Sequence, residues 1–223
     1  VRGLESLELK ARAMQVADAL EATLPDDFAQ AAGILEGALA PAELGDSMAG
    51  LQLADDGLKG WILWSAGEYV ARRGLARPER ALQALHAFTQ RFTAEFAIRP
   101  IIVAHPELAF ATLRRWTTDP SAHVRRLVSE GSRPRLPWGL QLKALIADPS
   151  PTLPLLSALQ DDPSEYVRRS VANHLNDIAK DHPAIVARWL EEHLKDASDE
   201  RRALLQHASR TLIKRGDRRV LAA

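Results

Sequence analysis

The amino-acid sequence predicts an all-α fold in which helical repeats stack into an α-solenoid. Apolar residues recur at helical spacing along nearly the whole chain, and no segment shows sustained β alternation. Proline and glycine breakers divide the chain into about a dozen helices. We expect one domain over residues 1–223, with less regular N-terminal helices in 1–60 and repeats in 61–215.

An internal repeat supports this architecture. The segment "DPSAHVRRLVSEG" (119–131) matches "DPSEYVRRSVANH" (162–174) at an offset of 43 residues, and a weaker copy, "DASDERRALLQHA" (196–208), follows 34 residues later. A period near this length is typical of HEAT and armadillo repeats, whose helices bury their apolar faces only by stacking on neighbours. In both clear copies we expect the aspartate to be the N-cap and the proline the first helical residue.

Composition excludes several classes of protein. Apolar residues make up 46% of the chain and charged residues 26%, which is typical of a globular protein. The absence of cysteine excludes disulfides, thiolate zinc sites and thiol nucleophiles. No apolar run is long enough for a membrane span and no signal peptide is visible, so we expect a cytoplasmic protein that does not bind membranes.

Charge and motifs narrow the chemistry further. The formal net charge is zero, but basic pairs recur in the C-terminal two thirds: Arg114-Arg115, Arg125-Arg126, Arg168-Arg169, Arg201-Arg202 and Arg218-Arg219. Such pairs favour a local basic surface. The histidines lack metal-ligand spacing and no nucleotide-binding or serine-hydrolase motif is present. We therefore expect neither a metal nor an organic cofactor.

Helical phasing places two acids together. Counting 100° per residue from Val167, the apolar residues of the second copy fall on one side, with Arg169 and Lys180 opposite and Asp177 on the flank. The first copy has Arg126 at the position of Arg169, and Glu130 follows one turn later. Because the second helices of successive repeats lie side by side, we expect Glu130 and Asp177 on one surface. This surface is either an inter-repeat ion-pair ladder or a polyanion-binding groove, and periodicity does not distinguish the two.

Aromatic residues and a third acid give further candidates. Trp138 follows Arg-Pro-Arg-Leu-Pro in a loop, where its side chain is either tucked under the solenoid or displayed. Glu95 lies between Phe92 and Phe96, and its simplest interpretation is a surface acid paired with a neighbouring arginine. We expect four further side chains to lie in the core: Trp61, Trp64, His174 and Trp189.

The chain resembles the AlkC/AlkD superfamily of HEAT-like-repeat DNA glycosylases, and its AlkC branch in particular. The resemblance runs from about Trp61 to Arg215, and three stretches carry it: "EFAIRP" (95–100), "EGSRPRLPW" (130–138) and "VANHLNDIAKDHP" (171–183). It implies that the active-site residues are Glu95, Glu130, Trp138 and Asp177. Some members carry a C-terminal immunoglobulin-like domain, which we do not expect in this chain.

The resemblance also implies an activity, namely hydrolysis of the N-glycosidic bond of cationic alkylated bases in duplex DNA, chiefly 3-methyladenine and 3-methylcytosine, without base flipping. Carboxylates then stabilise the oxocarbenium-like state and position water, and Trp138 contacts the base or sugar. Phosphate contacts are expected from five basic residues: Arg126, Arg133, Arg135, Arg169 and Lys180. We expect a monofunctional enzyme that acts as a monomer on alkylated double-stranded DNA.

Two alternatives remain at this stage. One is a non-catalytic HEAT-repeat scaffold that binds DNA or protein, and the other is a family member that binds DNA without turnover. The feature that distinguishes them from an enzyme is the pairing of Glu130 with Asp177 beside Trp138, because a scaffold does not need it.

Overall fold

The structure is a computed structural model that describes residues 2–42, 45–46 and 56–221. Within these ranges the chain is α-helical and contains no β-strand, only an isolated bridge between Leu39 and Leu58. The all-α prediction is therefore confirmed. The chain divides into two compact units, Val1–Thr112 and Leu113–Ala223. In the described part of the chain, no helix has the length and apolar character needed to cross a membrane.

The first unit is built from short amphipathic helices. Asp27 is the N-cap of the second helix, and its side chain accepts a hydrogen bond from the backbone N–H of Gln30 at 2.8 Å. Pro78 begins the fourth helix, where a missing N–H costs nothing. The helices are α1 (Leu9–Thr23), α2 (Phe28–Gly37), α3 (Ile62–Arg73), α4 (Pro78–Thr89), α5 (Ile98–Ala104) and α6 (Pro106–Trp116), the last of which ends in the second unit.

The second unit contains the repeats. Its helices are α7 (Ala122–Gly131), α8 (Lys143–Ala147), α9 (Leu153–Leu159), α10 (Glu165–Asp181), α11 (Pro183–Leu194), α12 (Asp199–Ala208), α13 (Arg210–Lys214) and α14 (Arg218–Leu221). The long helix α10 packs against both α7 and α12. Its apolar side is buried as the phasing predicts, with Val171, Leu175 and Ile178 in the core.

The repeat helices begin two residues later than predicted. Ser121 and Ser164 are the N-caps, not the aspartates, and neither proline is helical. Each aspartate instead accepts the backbone N–H of the serine two residues on, at 2.9 Å for both Asp119 and Asp162. This Asx turn fixes the chain just before the helix, which is why the Asp-Pro-Ser sequence recurs.

One arginine contact is repeated in all three copies. The side chains of Arg125, Arg168 and Arg202 fold back and donate to the carbonyl of the residue that follows the aspartate, at 3.0, 2.9 and 3.0 Å. The weak third copy is therefore a structural repeat as well as a sequence match. These three arginines serve the fold, because they satisfy carbonyls that precede the helix.

Candidate active site

Two carboxylates from neighbouring helices meet at one guanidinium group. Glu130 lies in the last turn of α7 and Asp177 in the C-terminal half of α10. Arg133 donates from Nη1 to Oε1 of Glu130 at 2.6 Å and from Nε to Oδ2 of Asp177 at 2.8 Å. The structure therefore brings together the two acids that the repeat alignment paired. They lie buried between the helices and not on an open surface.

The remaining carboxylate oxygens also have donors. Ser170 donates to Oε2 of Glu130 at 2.6 Å, and Lys180 donates to Oδ1 of Asp177 at 2.7 Å. Nη2 of Arg126 lies 3.7 Å from Oε1 of Glu130. All four oxygens are thus hydrogen-bonded, as two buried carboxylates require if they are to stay ionised.

The electrostatics of this cluster keep Glu130 anionic. Burial alone would raise the pKa of Glu130, but the charges of Arg126 and Arg133 and the hydrogen bonds from Ser170 and Arg133 lower it below its ordinary value of 4.5. For Arg133, burial opposes its positive charge, yet Glu130 and Asp177 raise its pKa. The glutamate in the last helical turn, which faces the negative end of the helix dipole, is stabilised by these cations.

The loop after α7 is attached to α10 by two arginines. Arg133 binds Asp177, and Arg135 binds Asp181 through two hydrogen bonds of 2.7 and 2.9 Å. Asp177 and Asp181 lie four residues apart on α10, a rise of about 6 Å. Arg133 and Arg135, on either side of Pro134, therefore bind successive turns of this helix. Arg135 lowers the pKa of Asp181 through this pair.

Trp138 is displayed on this loop. Its side chain is 71% exposed, which answers the question that the sequence left open. Its φ angle is 63°, a left-handed conformation that costs a non-glycine residue roughly 1–2 kcal/mol. A large exposed aromatic residue in a costly backbone conformation is typical of functional sites.

The predicted phosphate ligands are placed differently from one another. Arg169 is exposed and forms an i,i+4 pair with Glu165, and Arg135 is half-buried. Arg126 is half-buried, and its guanidinium lies 4.9 Å from the centre of the Tyr166 ring. Arg133 differs from the expectation, because its guanidinium is buried and engaged by both carboxylates. In this arrangement Arg133 contacts the acids and not the exterior.

Glu95 and the N-terminal tryptophans lie in the other compact unit. Glu95 is buried and accepts a hydrogen bond from the Thr93 hydroxyl, so it is not the exposed acid that its simplest interpretation required. Trp64 is buried and stacks on Phe96 at 4.8 Å, as expected for the core. The core prediction for Trp61 was wrong, since its side chain is 52% exposed. Trp61 packs one side on Trp64, and the i, i+3 spacing does not reveal that the helix begins only at the next residue.

His174 lies in the core behind the carboxylates, as predicted. It is fully buried, and Nδ1 lies 3.0 Å from the backbone carbonyl of Ser129, so Nδ1 carries the proton. Burial is the main cause that lowers its pKa from 6.5 to about 4, and nearby Arg133 lowers it further, against Asp177 and Glu130. The imidazole is neutral at pH 7 and connects α10 to α7 from inside.

Two partners of the site were missed by sequence reasoning. Ser170 and Asp181 became visible only when the helices were placed side by side. A signal for Asp181 existed in the sequence, because two acids four residues apart in "DIAKD" match two arginines two residues apart in "RPR". Ser170 had no such signal, since a single serine on a helix is unremarkable.

Other sites in the described ranges offer less. No group of three or more histidine or acidic side chains there is arranged to hold a metal ion. A cleft of about 400 Å³ lies between α10 and α12, but its charges are mixed and neither Glu130 nor Asp177 lines it. Its lining is Glu165, Arg168, Arg169, Ala172, Asp199, Glu200, Ala203, Leu204 and His207.

Comparison with known proteins identifies the class. The family model described as DNA alkylation repair enzyme matches residues 89–212, which is more than half of the chain. The chain therefore belongs to the DNA alkylation repair enzyme family. The matched segment includes Glu95, Glu130, Trp138 and Asp177.

Two particular relatives are similar to this chain. The Pseudomonas fluorescens alkylpurine DNA glycosylase AlkC, solved bound to DNA containing an abasic site analog, is 37% identical with a TM-score of 0.83; the match covers 98% of this chain and 57% of that one. The uncharacterized protein YhaZ of Bacillus subtilis (strain 168) is 42% identical over 216 residues, or 97% of this chain and 56% of its own length. This chain thus spans a little over half the length of both relatives, and the predicted AlkC-type resemblance is confirmed.

Proposed function

We propose that this protein is a DNA glycosylase that hydrolyses the N-glycosidic bond of cationic alkylated bases in duplex DNA, such as 3-methyladenine and 3-methylcytosine. One observation carries the proposal: Glu130 and Asp177, both buried, meet between α7 and α10 at a shared guanidinium. Membership of the DNA alkylation repair enzyme family and the likeness to a DNA-bound alkylpurine glycosylase support the same reaction class.

The reaction needs anions more than it needs an acid. When the bond between C1′ and the base nitrogen breaks, both electrons pass to the cationic base, which leaves neutral. The deoxyribose then carries oxocarbenium character, a water oxygen bonds to C1′, and that water loses a proton. Fixed carboxylates close to the sugar lower the energy of this positive charge, and preorganised charges of this kind typically supply 10²–10³ in rate.

The two carboxylates suit different parts of this task. A depressed pKa makes Glu130 a permanent anion and a weak base, so we assign it the electrostatic role. Asp177 is assigned the orientation of water toward C1′, because its Oδ1 is held by an exposed lysine and not by a buried group. Glu95 is proposed as a further acid on the strength of the family resemblance.

The remaining residues bind DNA. Arg126, Arg135, Arg169 and Lys180 contact phosphates, and Trp138 contacts the modified base or its sugar by cation–π or packing interactions. Arg133 orients the two carboxylates. The enzyme acts as a monofunctional monomer without a cofactor, and the base stays in the helix. A 2-aminopurine placed beside the lesion should therefore show no fluorescence increase on binding.

The proposal is tested by release of 3-methyladenine from methylated duplex DNA under single-turnover conditions. Glu130→Gln and Asp177→Asn should each lower the rate at least about 100-fold, because each removes one fixed anion. Glu191→Gln and Asp161→Asn are matched controls, since both acids form exposed pairs with arginines in the same unit. The controls should retain the native rate.

Folding must be measured alongside, because a broken buried pair destabilises the fold. Circular dichroism and urea unfolding give the folded fraction of each variant, and rates are compared per folded molecule. If the native chain releases no methylated base, or the site variants match their controls, the glycosylase proposal is lost. In that case the second candidate, a non-catalytic scaffold, is favoured by the full pairing of the four carboxylate oxygens.

A further inference from the structure

The charge of the resting site has the wrong sign for its proposed substrate. Glu130 and Asp177 contribute two negative charges, and three cations lie against them: Arg126, Arg133 and Lys180. The cluster therefore carries one more positive charge than negative. A cationic base and an oxocarbenium-like sugar would be repelled by this excess, and the low dielectric of a buried site strengthens the effect. One cation has to move before the anions serve the reaction.

The contacts show which cation is able to move. The side chain of Arg133 is only 10% exposed and holds both carboxylates from inside. Arg126 is 15% exposed and is held between Glu130 and the Tyr166 ring. The side chain of Lys180 is 39% exposed, and its ammonium donates to Oδ1 of Asp177. Because a lysine ammonium is compact and sits on a flexible stem, it changes partner more readily than a fixed guanidinium.

We propose that Lys180 is an exchangeable cover on Asp177, which the phosphate backbone of DNA draws away. Without DNA the ammonium neutralises the carboxylate and keeps other cations from Oδ1. With a duplex in place the ammonium partitions between the carboxylate and a phosphate, no proton is transferred, and in the uncovered fraction Oδ1 turns to the cationic base and sugar. Asp177 thus gains its full charge only beside a DNA backbone, which makes Lys180 a determinant of substrate specificity. This inference rests on the proposed glycosylase function.

Substitution by methionine separates the cover from a simple phosphate contact. Lys180→Met keeps the apolar stem and removes the charge. Binding to undamaged duplex should weaken, and the slope of log K against log salt should become shallower by about one. At saturating protein, however, single-turnover release of 3-methyladenine should rise by about two- to fivefold, the range expected from losing an exposed neutralising charge. Lys214→Met, at an exposed lysine of the same unit, should change neither quantity.

A rate at saturation that is unchanged or lower in Lys180→Met would overturn the proposal, because a simple phosphate ligand affects binding alone.

A second measurement does not depend on activity. In protein labelled at lysine Cε, the NMR signal of Lys180 is identified by its loss in Lys180→Met, and its position in Asp177→Asn marks the ammonium without its carboxylate. Adding undamaged duplex should shift the Lys180 signal from its position without DNA, and the shift should be the same in native protein and in Glu130→Gln. A signal that does not shift would contradict the exchange. If the native chain releases no base while the signal moves, the glycosylase proposal fails and the exchange stands.

Discussion

Two helix interfaces of the same repeat type have opposite chemistry. Where α7 packs on α10, Glu130 and Arg133 take part in a buried ion cluster. One repeat later, where α10 packs on α12, the equivalent positions hold Asn173 and Asn176. The same backbone arrangement therefore accommodates charged groups at one interface and neutral amides at the next.

The side-chain amides of Asn173 and Asn176 form hydrogen bonds that hold neighbouring helices together. Oδ1 of Asn173 lies 2.8 Å from Nε2 of His207 and accepts from Arg210 at 3.2 Å. Oδ1 of Asn176 accepts the backbone N–H of Thr211 at 3.0 Å, at the start of α13. Helix stacking thus needs only a few hydrogen bonds to amide oxygens. The ion cluster at the other interface exceeds what the fold requires, which favours a functional origin.

The helices of the two copies differ in length from the position where α7 ends. Helix α7 ends at Gly131, whereas α10 continues through the equivalent residue, His174, to Asp181. The early end of α7 releases the loop that carries Arg133 and Trp138. The shortening of one repeat helix therefore accounts for the loop that binds α10 through Arg133 and Arg135.

The largest expected effect comes from the bridging arginine. Arg133→Met leaves two buried carboxylates without their shared partner and should lower the free energy of unfolding by about 3–5 kcal/mol. Asn176→Ala, at the equivalent position, loses the neutral hydrogen bond to Thr211 and should cost about 1 kcal/mol. Urea unfolding at pH 7 measures both. Arg135→Met serves as the control for a half-buried pair, and equal losses at all three positions would remove the distinction between the interfaces.

The next effect is a pH dependence that belongs to the α7–α10 interface. The folded-state pKa of His174 is about 4 against 6.5 in the unfolded chain, so the unfolded state takes up the proton first. Stability is full above pH 6.5 and is lost as the pH falls toward 4, by about 3 kcal/mol in total. His174→Gln keeps a donor for Ser129 and should flatten this part of the stability curve. An unchanged slope between pH 6.5 and 4.5 would assign the dependence to another group.

The smallest expected effect tests whether a carboxylate added at the α10–α12 interface is enough to create a second active site. Asn173→Asp puts a carboxylate at the α10–α12 interface, where Arg210 and His207 are ready to pair with it. The pKa of His207, now lowered by burial and by Arg210 and Arg169, should rise, and stability should change by less than about 1 kcal/mol. NMR titration of His207 gives the shift. Release of 3-methyladenine should stay at the native rate, and any gain in release would show that position matters less than charge.

The repeat made part of the site predictable from sequence. The offset of 43 residues aligned α7 with α10, and helical phasing then put Glu130 and Asp177 on one surface of these neighbouring helices, although it did not predict their burial. This works because side-chain direction on a helix follows from residue number alone. The start of each helix was less predictable, because Asp-Pro-Ser fits both an aspartate N-cap and an Asx turn before a serine N-cap.

Helical phasing does not predict the burial of residues that lie beyond the end of a helix. Phasing stops at Gly131, so the burial of Arg133 against both acids and the exposure of Trp138 depended on a loop path that periodicity does not encode. The core prediction for Trp61 was wrong for the same reason, since Trp61 lies one residue before α3 begins. The number of cations around Asp177 likewise could not be predicted from the sequence, because it depends on distances between different helices and loops.

The two arginine–aspartate pairs between the loop and α10 have a consequence for binding. Because Arg133 and Arg135 attach the loop to successive turns of one helix, Trp138 follows a segment fixed at two points. The conformational entropy of this segment is lost when the chain folds, not when a ligand arrives. In the proposed DNA complex, Trp138 would therefore contribute to affinity with little further ordering of the loop that supports it.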